Sequence, residues 1–512
     1  MGRGRPATGV CLERQLRGRE RRDRLRREGR RRVPGRVPRA RRAEGTQGVG
    51  EDRAARLQEA CGRVARDGGD ATVRVLFVVL DGLADRPAAV LGGATPLEAA
   101  ATPNLDSIVA GGCAGLIDPL GPGVAPGTDT SHFVFFGNPL EEYPGRALFE
   151  AAGSGLAVHE GEVALKGSFC EVERRGGMLH LVKRAIGMEA EDGAGDLVEA
   201  ISKYDTGGYR LELVYTGGKE SILYVRGGSC SAEITDSDPY ADDRPVAAVE
   251  ASGDPTEPEE ASATAEAVTS YLRWAHERLE THPINLARRE AGEPAANFLT
   301  TKWAARRRRL VSFSERYPFN AASVSTGVLF RGLCAELGIT FKNVEYLADP
   351  CEDLARRVRE GLTLLDSGFD FVHVHTKVID QAAHKKDPEL KRRVIESCDA
   401  GLAALAGGQP EDLLLVVTAD HSTASSGHEL LIHTGEPVPL AVRGRSVGKD
   451  EVKRFSERAC ASGFLGRSRA SDLMPQALNW SDRTGYYGAR MMRHSVLARP
   501  STPEPFYFGD VP

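Results

Sequence analysis

Two apolar runs that each end in an acidic residue constrain the fold of this chain most. Val75 to Leu80 is continuously apolar and leads into Asp81-Gly82, and Leu413 to Val417 leads into Thr418-Ala419-Asp420-His421. The length and β-branched content of such runs are typical of strands buried on both faces of a parallel sheet. Because α/β sheets place their sites at the carboxyl ends of strands, these polar residues are predicted to share one site.

The size and cysteine content of the chain exclude several classes of protein. Its 512 residues suffice for roughly two to four domains. No apolar run approaches the ~20 residues that a membrane helix needs, so we expect no membrane partner. The nine cysteines are scattered without a CxxC pair. This pattern favours reduced thiols inside the cell, and we expect a cytoplasmic protein.

The net charge of -5 conceals an arginine-dense beginning of the chain. Residues 1–70 are predicted to be a disordered, Arg-rich extension, because such sequence buries too little apolar surface to offset its ordering entropy. A nucleic-acid-binding arm or an organelle-targeting peptide are the alternatives. Glu13 and Asp23 interrupt the arginines, which disfavours a targeting peptide.

The rest of the chain is predicted to be an α/β domain split by a smaller inserted α+β domain. The split domain covers residues 71–154 and 300–485, the insertion covers 155–299, and 486–512 form a C-terminal tail. Within the insertion, two pairs of alternating segments flank Gly-Gly turns and predict β-hairpins, 169–182 and 211–225. Residues 245–266 are rich in Ala, Glu, Pro and Ser and predict a loop.

The split domain also contains two clear helix signals. Thr102-Pro103 begins one helix and Gly111-Gly112 ends it. Asp387-Pro388 begins another, whose apolar positions continue to Leu405. Strands are predicted at 369–374 and 413–417.

Histidines and carboxylates are concentrated in one part of the chain. Half of the twelve histidines lie between His373 and His433. Asp380 and His384 are four residues apart and would share one face of a helix. Together with Asp81 and Asp420-His421, this donor set suits two divalent ions. Mn²⁺ is the preferred assignment, with Zn²⁺, Co²⁺ or Mg²⁺ as alternatives.

Thr128 is the candidate nucleophile. It follows a Gly/Pro loop and precedes Asp129. Two close metal ions suit phosphoryl transfer, and a hydroxyl beside them would be activated. The alternative role of Thr128 is a helix N-cap.

The sequence resembles the archaeal-type cofactor-independent phosphoglycerate mutases of the alkaline phosphatase superfamily. The matching segments, which extend from about residue 73 to 480, are DGLADRP (81–87), TPLE (95–98), ATPNLD (101–106), PGTDTSH (126–132), GRALFEA (145–151), TDSDP (235–239), HPINLARREAGEPAAN (282–297), HTKVIDQAAH (375–384), TADHST (418–423), HTGEPVP (433–439) and SDLMP (471–475). The resemblance implies an alkaline-phosphatase-like sheet sandwiched by helices.

The resemblance also implies roles for matching residues. Asp81, Asp420 and His421 would bind one metal ion together with Thr128, and Asp380, His384 and His433 would bind the other. Thr128 would accept the phosphoryl group of 3-phosphoglycerate and return it to the other hydroxyl. The residues expected to contact this small phosphorylated substrate are Asp129, His132, Arg146, Lys166, Arg226, Asp236, Asp238, Lys302 and Lys377.

The predicted activity is the interconversion of 3-phosphoglycerate and 2-phosphoglycerate in glycolysis and gluconeogenesis. The chain departs from the family at Thr128, where the family usually has Ser, and in the insertion. There it has Lys166, Ser168 and Lys302-Trp303 at positions where the family typically has an Arg-Asn pair and Arg-Gly. A phosphatase or phosphotransferase acting on another small hydroxy acid is therefore one alternative. A non-catalytic protein that binds nucleic acid through its arginine arm is another.

Overall fold

The structure is a computed structural model, and it describes residues 73–187, 193–408, 410–428 and 430–500, with Pro503 and Phe506. The chain divides into two units, Met1–Asp70 and Ala71–Pro512. The predicted disordered extension, residues 1–70, lies outside the described residues. No described helix combines the length and the apolarity needed to cross a bilayer.

The chain before the predicted insertion contributes two strands and four α-helices. These are β1 (Arg74–Leu80), α1 (Pro96–Ala99), α2 (Pro103–Ala110), β2 (Cys113–Asp118), α3 (Thr128–Phe135) and α4 (Arg146–Gly153). Short 3-10 turns occur at Ala89–Leu91 and Leu140–Glu142.

The next part of the chain is mainly antiparallel. It contains β3 (Val163–Arg175), β4 (Met178–Lys183), α5 (Ala194–Ala200), β5 (Lys203–Thr206), β6 (Tyr209–Gly217), β7 (Glu220–Arg226), β8 (Arg244–Pro245), α6 (Pro258–Glu280), α7 (Pro283–Glu290) and β9 (Phe298–Arg306). The strands form one seven-stranded sheet with the order β5-β6-β7-β3-β4-β8, and β9 pairs with β3.

The remaining chain returns to alternating helices and strands. It contains α8 (Phe313–Arg316), β10 (Ala321–Ser325), α9 (Val328–Leu337), β11 (Thr340–Asn343), α10 (Pro350–Asp366), β12 (Phe371–Thr376), α11 (Val378–Ala383), α12 (Pro388–Gly401), α13 (Ala403–Ala406), β13 (Leu413–Thr418), β14 (Val438–Arg443), α14 (Glu457–Cys460), β15 (Gly466–Arg469) and α15 (Leu473–Trp480). A 3-10 turn at Ala470–Asp472 precedes α15.

The main sheet has eight strands in the order β11-β10-β12-β1-β13-β14-β2-β15. Strand β1 is parallel to both of its neighbours, so that Val79 pairs with His375 on β12 and with Thr418 on β13. Strand β14 is antiparallel to β13 and to β2. Every residue of β12 and β13 is buried, as expected for parallel strands covered on both faces. The predicted α/β fold class is confirmed.

Several local predictions are confirmed and two need correction. Strands β3 and β4, and β6 and β7, form the two predicted hairpins. Residues 245–266 are not all loop, because α6 already begins at Pro258. The helix that begins after Asp387 is interrupted at Leu402, so its predicted apolar face is shared by α12 and α13.

The boundary of the insertion bears on the site. The predicted limit between residues 299 and 300 falls inside β9, which pairs with β3 along most of its length. We therefore infer that the inserted domain extends to Arg306. It has its own apolar core around Leu223, Tyr271 and Phe298, separate from the core that surrounds β1.

Candidate metal centre and substrate site

Three adjacent strands deliver the candidate ligands to one edge of the main sheet. Asp81 follows β1, Asp420 and His421 follow β13, and Asp380 lies in α11 directly after β12. Gly82 has a φ of +67°, and a Cβ there would come within 2.8 Å of the Asp380 side chain. A glycine is therefore required for the two loops to approach this closely.

The first group of ligands surrounds the His421 ring. His421 Nε2 lies 3.2 Å from Asp81 Oδ1, 3.3 Å from Asp420 Oδ2 and 3.1 Å from Thr128 Oγ1. Asp81, Asp420 and His421 are completely buried. Their ligand atoms all lie within 4.8 Å of one another.

The second group is centred on Asp380. Asp380 Oδ1 lies 3.2 Å from His384 Nε2 and 3.8 Å from His433 Nε2. The close contact across α11 confirms that Asp380 and His384 share a face. The His433 ring stacks on His421 with 3.7 Å between centroids, so the two groups are contiguous. The structure thus gathers all seven residues predicted to form the metal centre.

The donors of this centre fit divalent cations. Asp81 Oδ1, Asp380 Oδ2 and Asp420 Oδ2 are buried and receive no well-directed hydrogen bond from the described residues. His421 Nε2 and Lys377 Nζ lie beside them, at 3.2–3.3 Å, so these three carboxylate oxygens share one imidazole and one ammonium group. Buried carboxylate oxygens without donors are costly unless a cation or a proton compensates them. Carboxylate with imidazole is the ligand mixture that Mn²⁺, Zn²⁺ and Co²⁺ accept.

The charges in the first group shift the pKa values in opposite directions. Burial would raise the pKa of Asp81, but Lys377 and His421 hold it well below its usual range. Burial, followed by the charge of Asp81, raises the pKa of Asp420 to about 7. Burial would lower the pKa of His421, but the charges of Asp420 and Asp81 raise it to about 9. A metal ion uses the same lone pair as that proton, so metal binding releases it and strengthens as the pH rises.

Thr128 is the first residue of α3, and the N-cap of that helix is Gly127. The alternative prediction, that Thr128 is the N-cap, is therefore wrong. The first backbone N–H groups of a helix have no acceptor within it, so they are available to an anion beside Thr128. The Ser131 hydroxyl donates to the Asp420 carbonyl at 2.8 Å, which ties α3 to the end of β13.

Two side chains that hold the ligands escaped the sequence analysis. His375 Nε2 lies 3.0 Å from Asp81 Oδ2 and orients that carboxylate. Thr423 Oγ1 lies 2.8 Å from Asp380 Oδ1 and 3.0 Å from His421 Nδ1, so it links the two ligand groups. Alternation of His373 and His375 along a buried strand was the available signal for the first of these. Such outer partners fix the orientation of metal ligands.

Comparison with known proteins assigns the family. A 2,3-bisphosphoglycerate-independent phosphoglycerate mutase of Methanocaldococcus jannaschii is 38% identical over 426 residues, which cover 82% of this chain and 95% of the relative. The chain belongs to the family of 2,3-bisphosphoglycerate-independent phosphoglycerate mutases. Residues 110–285 match the family profile of the same description. The corresponding enzyme of Methanopyrus kandleri is 36% identical and covers 81% of the chain and 98% of the relative.

Solved structures agree with this phosphoglycerate mutase assignment. A protein from Pyrococcus horikoshii is 30% identical, covers 82% of this chain and all of its own, and superposes with a TM-score of 0.66. The cofactor-independent phosphoglycerate mutase of Thermoplasma acidophilum is 29% identical, covers 80% of this chain and all of its own, and gives a TM-score of 0.53. The predicted family is thereby confirmed, and the chain shares the fold of these two structures.

Around the mutase centre, the structure brings three of the predicted substrate-binding cations together. Arg146 of α4, Lys166 of β3 and Lys302 of β9 surround the ring of Trp303, with 3.9, 5.2 and 4.7 Å to its centroid. Arg146 Nη1 also lies 3.8 Å from Asp129 Oδ1. Through Arg146, the cluster of three basic side chains therefore reaches Asp129, the residue that follows Thr128.

Lys377 lies inside the metal centre rather than at its edge. Its Nζ lies 3.4 Å from Asp81 Oδ2 and 3.2 Å from Asp380 Oδ2. Burial would lower the pKa of Lys377, but Asp81, Asp380 and Asp420 raise it above its usual range. The ammonium group therefore stays charged and bridges the two groups of ligands.

Four other predicted substrate residues lie elsewhere or have other partners. His132 is completely buried, and its Nδ1 lies 2.7 Å from the Thr128 carbonyl oxygen, so it contacts the backbone of the candidate nucleophile rather than the open site. Arg226 lies four residues beyond Ile222, which is the residue of β7 that pairs with Lys166 in the sheet. Its guanidinium forms ion pairs with Glu162 and Glu212. Periodicity cannot reveal such pairing, because it depends on strand register.

Asp236 and Asp238 hold neighbouring protein groups. Asp236 Oδ1 accepts a hydrogen bond from the backbone N–H of Trp303 at 2.8 Å. Asp238 accepts hydrogen bonds from Lys302 Nζ at 2.7 Å and from Arg184 Nε at 2.9 Å. In this structure both carboxylates position β9 rather than remain open to a ligand.

Lys391 of α12 anchors the loops that carry the candidate ligands. Its fully buried Nζ donates to the Ala84 carbonyl at 2.9 Å, to the Thr423 carbonyl at 2.8 Å and to Asp85 Oδ2 at 3.0 Å. It thus joins the loop after β1 to the loop after β13.

Replacing Lys391 with Met is expected to lower the free energy of unfolding by about 3–5 kcal/mol, because Asp85 would remain buried without its cation. Urea denaturation of both proteins measures this loss. Lys385→Met, at an exposed position in the turn before α12, should change stability by less than about 0.5 kcal/mol. Equal effects of the two substitutions would contradict the anchoring role.

Proposed function

We propose that this chain interconverts 3-phosphoglycerate and 2-phosphoglycerate through a phosphothreonine at Thr128 and two divalent metal ions. The observation that carries the proposal is the position of Thr128 Oγ1, 3.1 Å from His421 Nε2 at the beginning of α3. Asp81, Asp420 and His421 would hold one ion beside Thr128. Asp380, His384 and His433 would hold the other, with Mn²⁺ as the preferred metal.

The side chains of the site divide the work of phosphoryl transfer. When bound, the metal ions lower the pKa of the nucleophilic hydroxyl and neutralise phosphoryl oxygens. Thr128 Oγ1 gives up its proton and attacks phosphorus, the bond from phosphorus to the glycerate oxygen breaks, and that oxygen takes up a proton in return. The backbone N–H groups of α3 and the ammonium group of Lys377 stabilise the negative oxygens. The other glycerate hydroxyl then gives up its proton and attacks the phosphothreonine, the bond from phosphorus to Oγ1 breaks, and Oγ1 takes up a proton, which restores Thr128.

The inserted domain supports mutase action by covering the site. Lys166, Lys302 and Trp303 come from its strands. The two ammonium groups lie over the Trp303 ring, and that ring contacts Arg146 of the main domain. Exclusion of water would protect the phosphothreonine from hydrolysis while the glycerate turns. In keeping with the reaction, we assign the protein to the cytoplasm and to glycolysis and gluconeogenesis.

A metal-dependent phosphatase is the second candidate. Lys166 already pairs with Glu150 and Glu220, at 3.4 and 3.0 Å, and Lys302 pairs with Asp238. Cations engaged in this way could select a different phosphorylated acid. The alternative of a binding protein with an arginine arm concerns residues outside the described chain, and the convergence of seven site residues disfavours it.

The deciding experiment supplies 3-phosphoglycerate and Mn²⁺ without 2,3-bisphosphoglycerate and measures both 2-phosphoglycerate and free phosphate. We expect isomer exchange with little phosphate release. Chelation with EDTA should abolish exchange, and added Mn²⁺ should restore it, because Asp81, Asp380 and Asp420 are the proposed carboxylate ligands of the ions. Phosphate release without exchange would establish the phosphatase instead, and activity in EDTA would contradict the metal centre.

A further inference from the structure

Trp303 has a backbone conformation that a large side chain rarely adopts. Its φ is +59°, in the left-handed region that favours glycine. It lies in a β-bulge, because β9 has one more residue than β3 between the pairs Ala164–Ala305 and Lys166–Lys302. Bulges redirect side chains and often adjoin active sites. The indole is therefore held in place at a conformational cost, and such strain is characteristic of functional positions.

Three consecutive residues, 236–238, fix three consecutive residues, 301–303. Asp236 accepts a hydrogen bond from the backbone N–H of Trp303 at 2.8 Å, and Ser237 Oγ accepts one from the backbone N–H of Thr301 at 2.7 Å. Asp238 accepts from Lys302 Nζ at 2.7 Å. These contacts determine the direction in which the indole leaves the strand.

The indole attracts cations from both domains. The Arg146 guanidinium belongs to α4 of the main domain, and the two ammonium groups belong to β3 and β9 of the insertion. All three lie within 5.2 Å of the ring centroid. Carboxylates offset part of the repulsion among these cations, since Glu150 pairs with Arg146 and with the ammonium group of β3, and Asp238 pairs with that of β9. The negative face of the ring attracts all three. Trp303 therefore assembles one basic cluster from separate elements.

The cluster retains donors for a ligand and adjoins the nucleophile. Within the described chain, Arg146 donates a hydrogen bond only through Nε, to Glu150 at 3.1 Å, so its Nη groups remain available. Arg146 Nη1 lies 3.8 Å from Asp129, the neighbour of Thr128 in sequence. For a ligand that reaches from Thr128 to these Nη groups, the surrounding cations favour a second anionic group, such as a carboxylate.

We propose that Trp303 is a specificity-determining residue, whose ring fixes Arg146, Lys166 and Lys302 as the subsite for the carboxylate of a short phosphorylated acid. The inference rests on the proposed function, because it takes Thr128 as the acceptor of the phosphoryl group. Trp303 itself contributes the geometry of the cations rather than chemistry at phosphorus.

The test compares Trp303→Phe, which keeps an aromatic face, with Trp303→Leu, which removes it. Trp303→Leu should raise the KM for 3-phosphoglycerate about tenfold and change kcat by less than about threefold, while Trp303→Phe stays within about threefold in KM. The inhibition constant of glycerol 3-phosphate, which lacks the carboxylate, should change by less than about twofold in both variants. An unchanged KM in Trp303→Leu, or equal losses for both compounds, overturns the proposal.

Trp274 is the matched control. It lies in α6 of the same domain, is similarly half-buried, and has Arg278 4.6 Å from its ring centroid, but it contacts Tyr204 and Tyr271 instead of the site. Trp274→Leu should leave the KM unchanged, and a rise equal to that of Trp303→Leu would overturn the proposal. Failure of the unsubstituted enzyme to interconvert phosphoglycerates would contradict the proposed function, whereas the comparison of variants reports on Trp303 alone.

A binding measurement covers the case in which Trp303→Leu does not fold. The chain has three tryptophans, so replacing Trp274 and Trp480 with Phe leaves Trp303 as the only one. Thr128→Ala in the same protein prevents turnover during the measurement. Its fluorescence should change when 3-phosphoglycerate is added to the Mn²⁺-supplemented protein and should not change with glycerol 3-phosphate. The same response to both compounds, or to neither, overturns the proposal.

Discussion

Replacement of Thr128 by Ala is expected to reduce phosphoglycerate interconversion by at least about a thousandfold, while Thr128→Ser remains active. The hydroxyl lies 3.1 Å from His421 Nε2, inside the first group of metal ligands. Serine retains the oxygen and loses only a methyl group. Turnover of 3-phosphoglycerate and the mass of the acid-quenched protein measure the effect, because the phosphorylated form should disappear in the alanine variant.

Thr130→Ala is the matched control for that experiment. Its hydroxyl lies in the same helical turn but donates to the Gly127 carbonyl at 2.9 Å rather than to the metal centre. We expect activity within about tenfold of the unsubstituted enzyme, since only the beginning of α3 is weakened. Full activity of Thr128→Ala would refute the assignment of the nucleophile.

Replacement of His384 by Ala is expected to remove one of the two metal ions and to lower turnover by about a hundredfold or more. Loss of a residue that only orients a metal ligand already costs up to about a hundredfold, and His384 is proposed to be a ligand itself. His384 Nε2 lies 3.2 Å from Asp380 Oδ1, and its side chain is 36% exposed, so its removal should disturb little packing. Elemental analysis of the dialysed protein gives the metal content per chain. Excess Mn²⁺ should partly restore activity.

His428 provides the comparison for His384. It is exposed in the loop after β13 and accepts a hydrogen bond from the Leu430 N–H at 3.1 Å. His428→Ala should retain both ions and normal turnover. Two ions per chain in the His384→Ala protein would move the second site to other ligands, for example the alternative group Asp380, His421 and His433.

The residues at strand ends were the most predictable part of this protein. An apolar run followed by Asp81, and another followed by Asp420-His421, places the ligands because parallel strands end at one edge of a sheet. The four-residue spacing of Asp380 and His384 similarly predicts a shared helical face. These rules are local, and the sequence displays them directly.

The partners of charged side chains were less predictable. Arg226 and Asp238 carry the charges expected of substrate residues, yet the structure pairs them with Glu162 and Lys302. Which charge meets which depends on the register between β3, β7 and β9, and composition does not encode it. Lys391 illustrates the same limit, since an amphipathic helix alone gives no sign that its lysine is completely buried.

The central position of β1 governs when the site can form during synthesis. Its two neighbours, β12 and β13, lie about three hundred positions later in the chain, and both must pair with it. Closing so long a loop is entropically slow. A ribosome-bound chain that stops before Leu413 therefore exposes one apolar side of its first strand and cannot retain cations. The yield of active enzyme would therefore depend on how well chaperones protect that exposed edge.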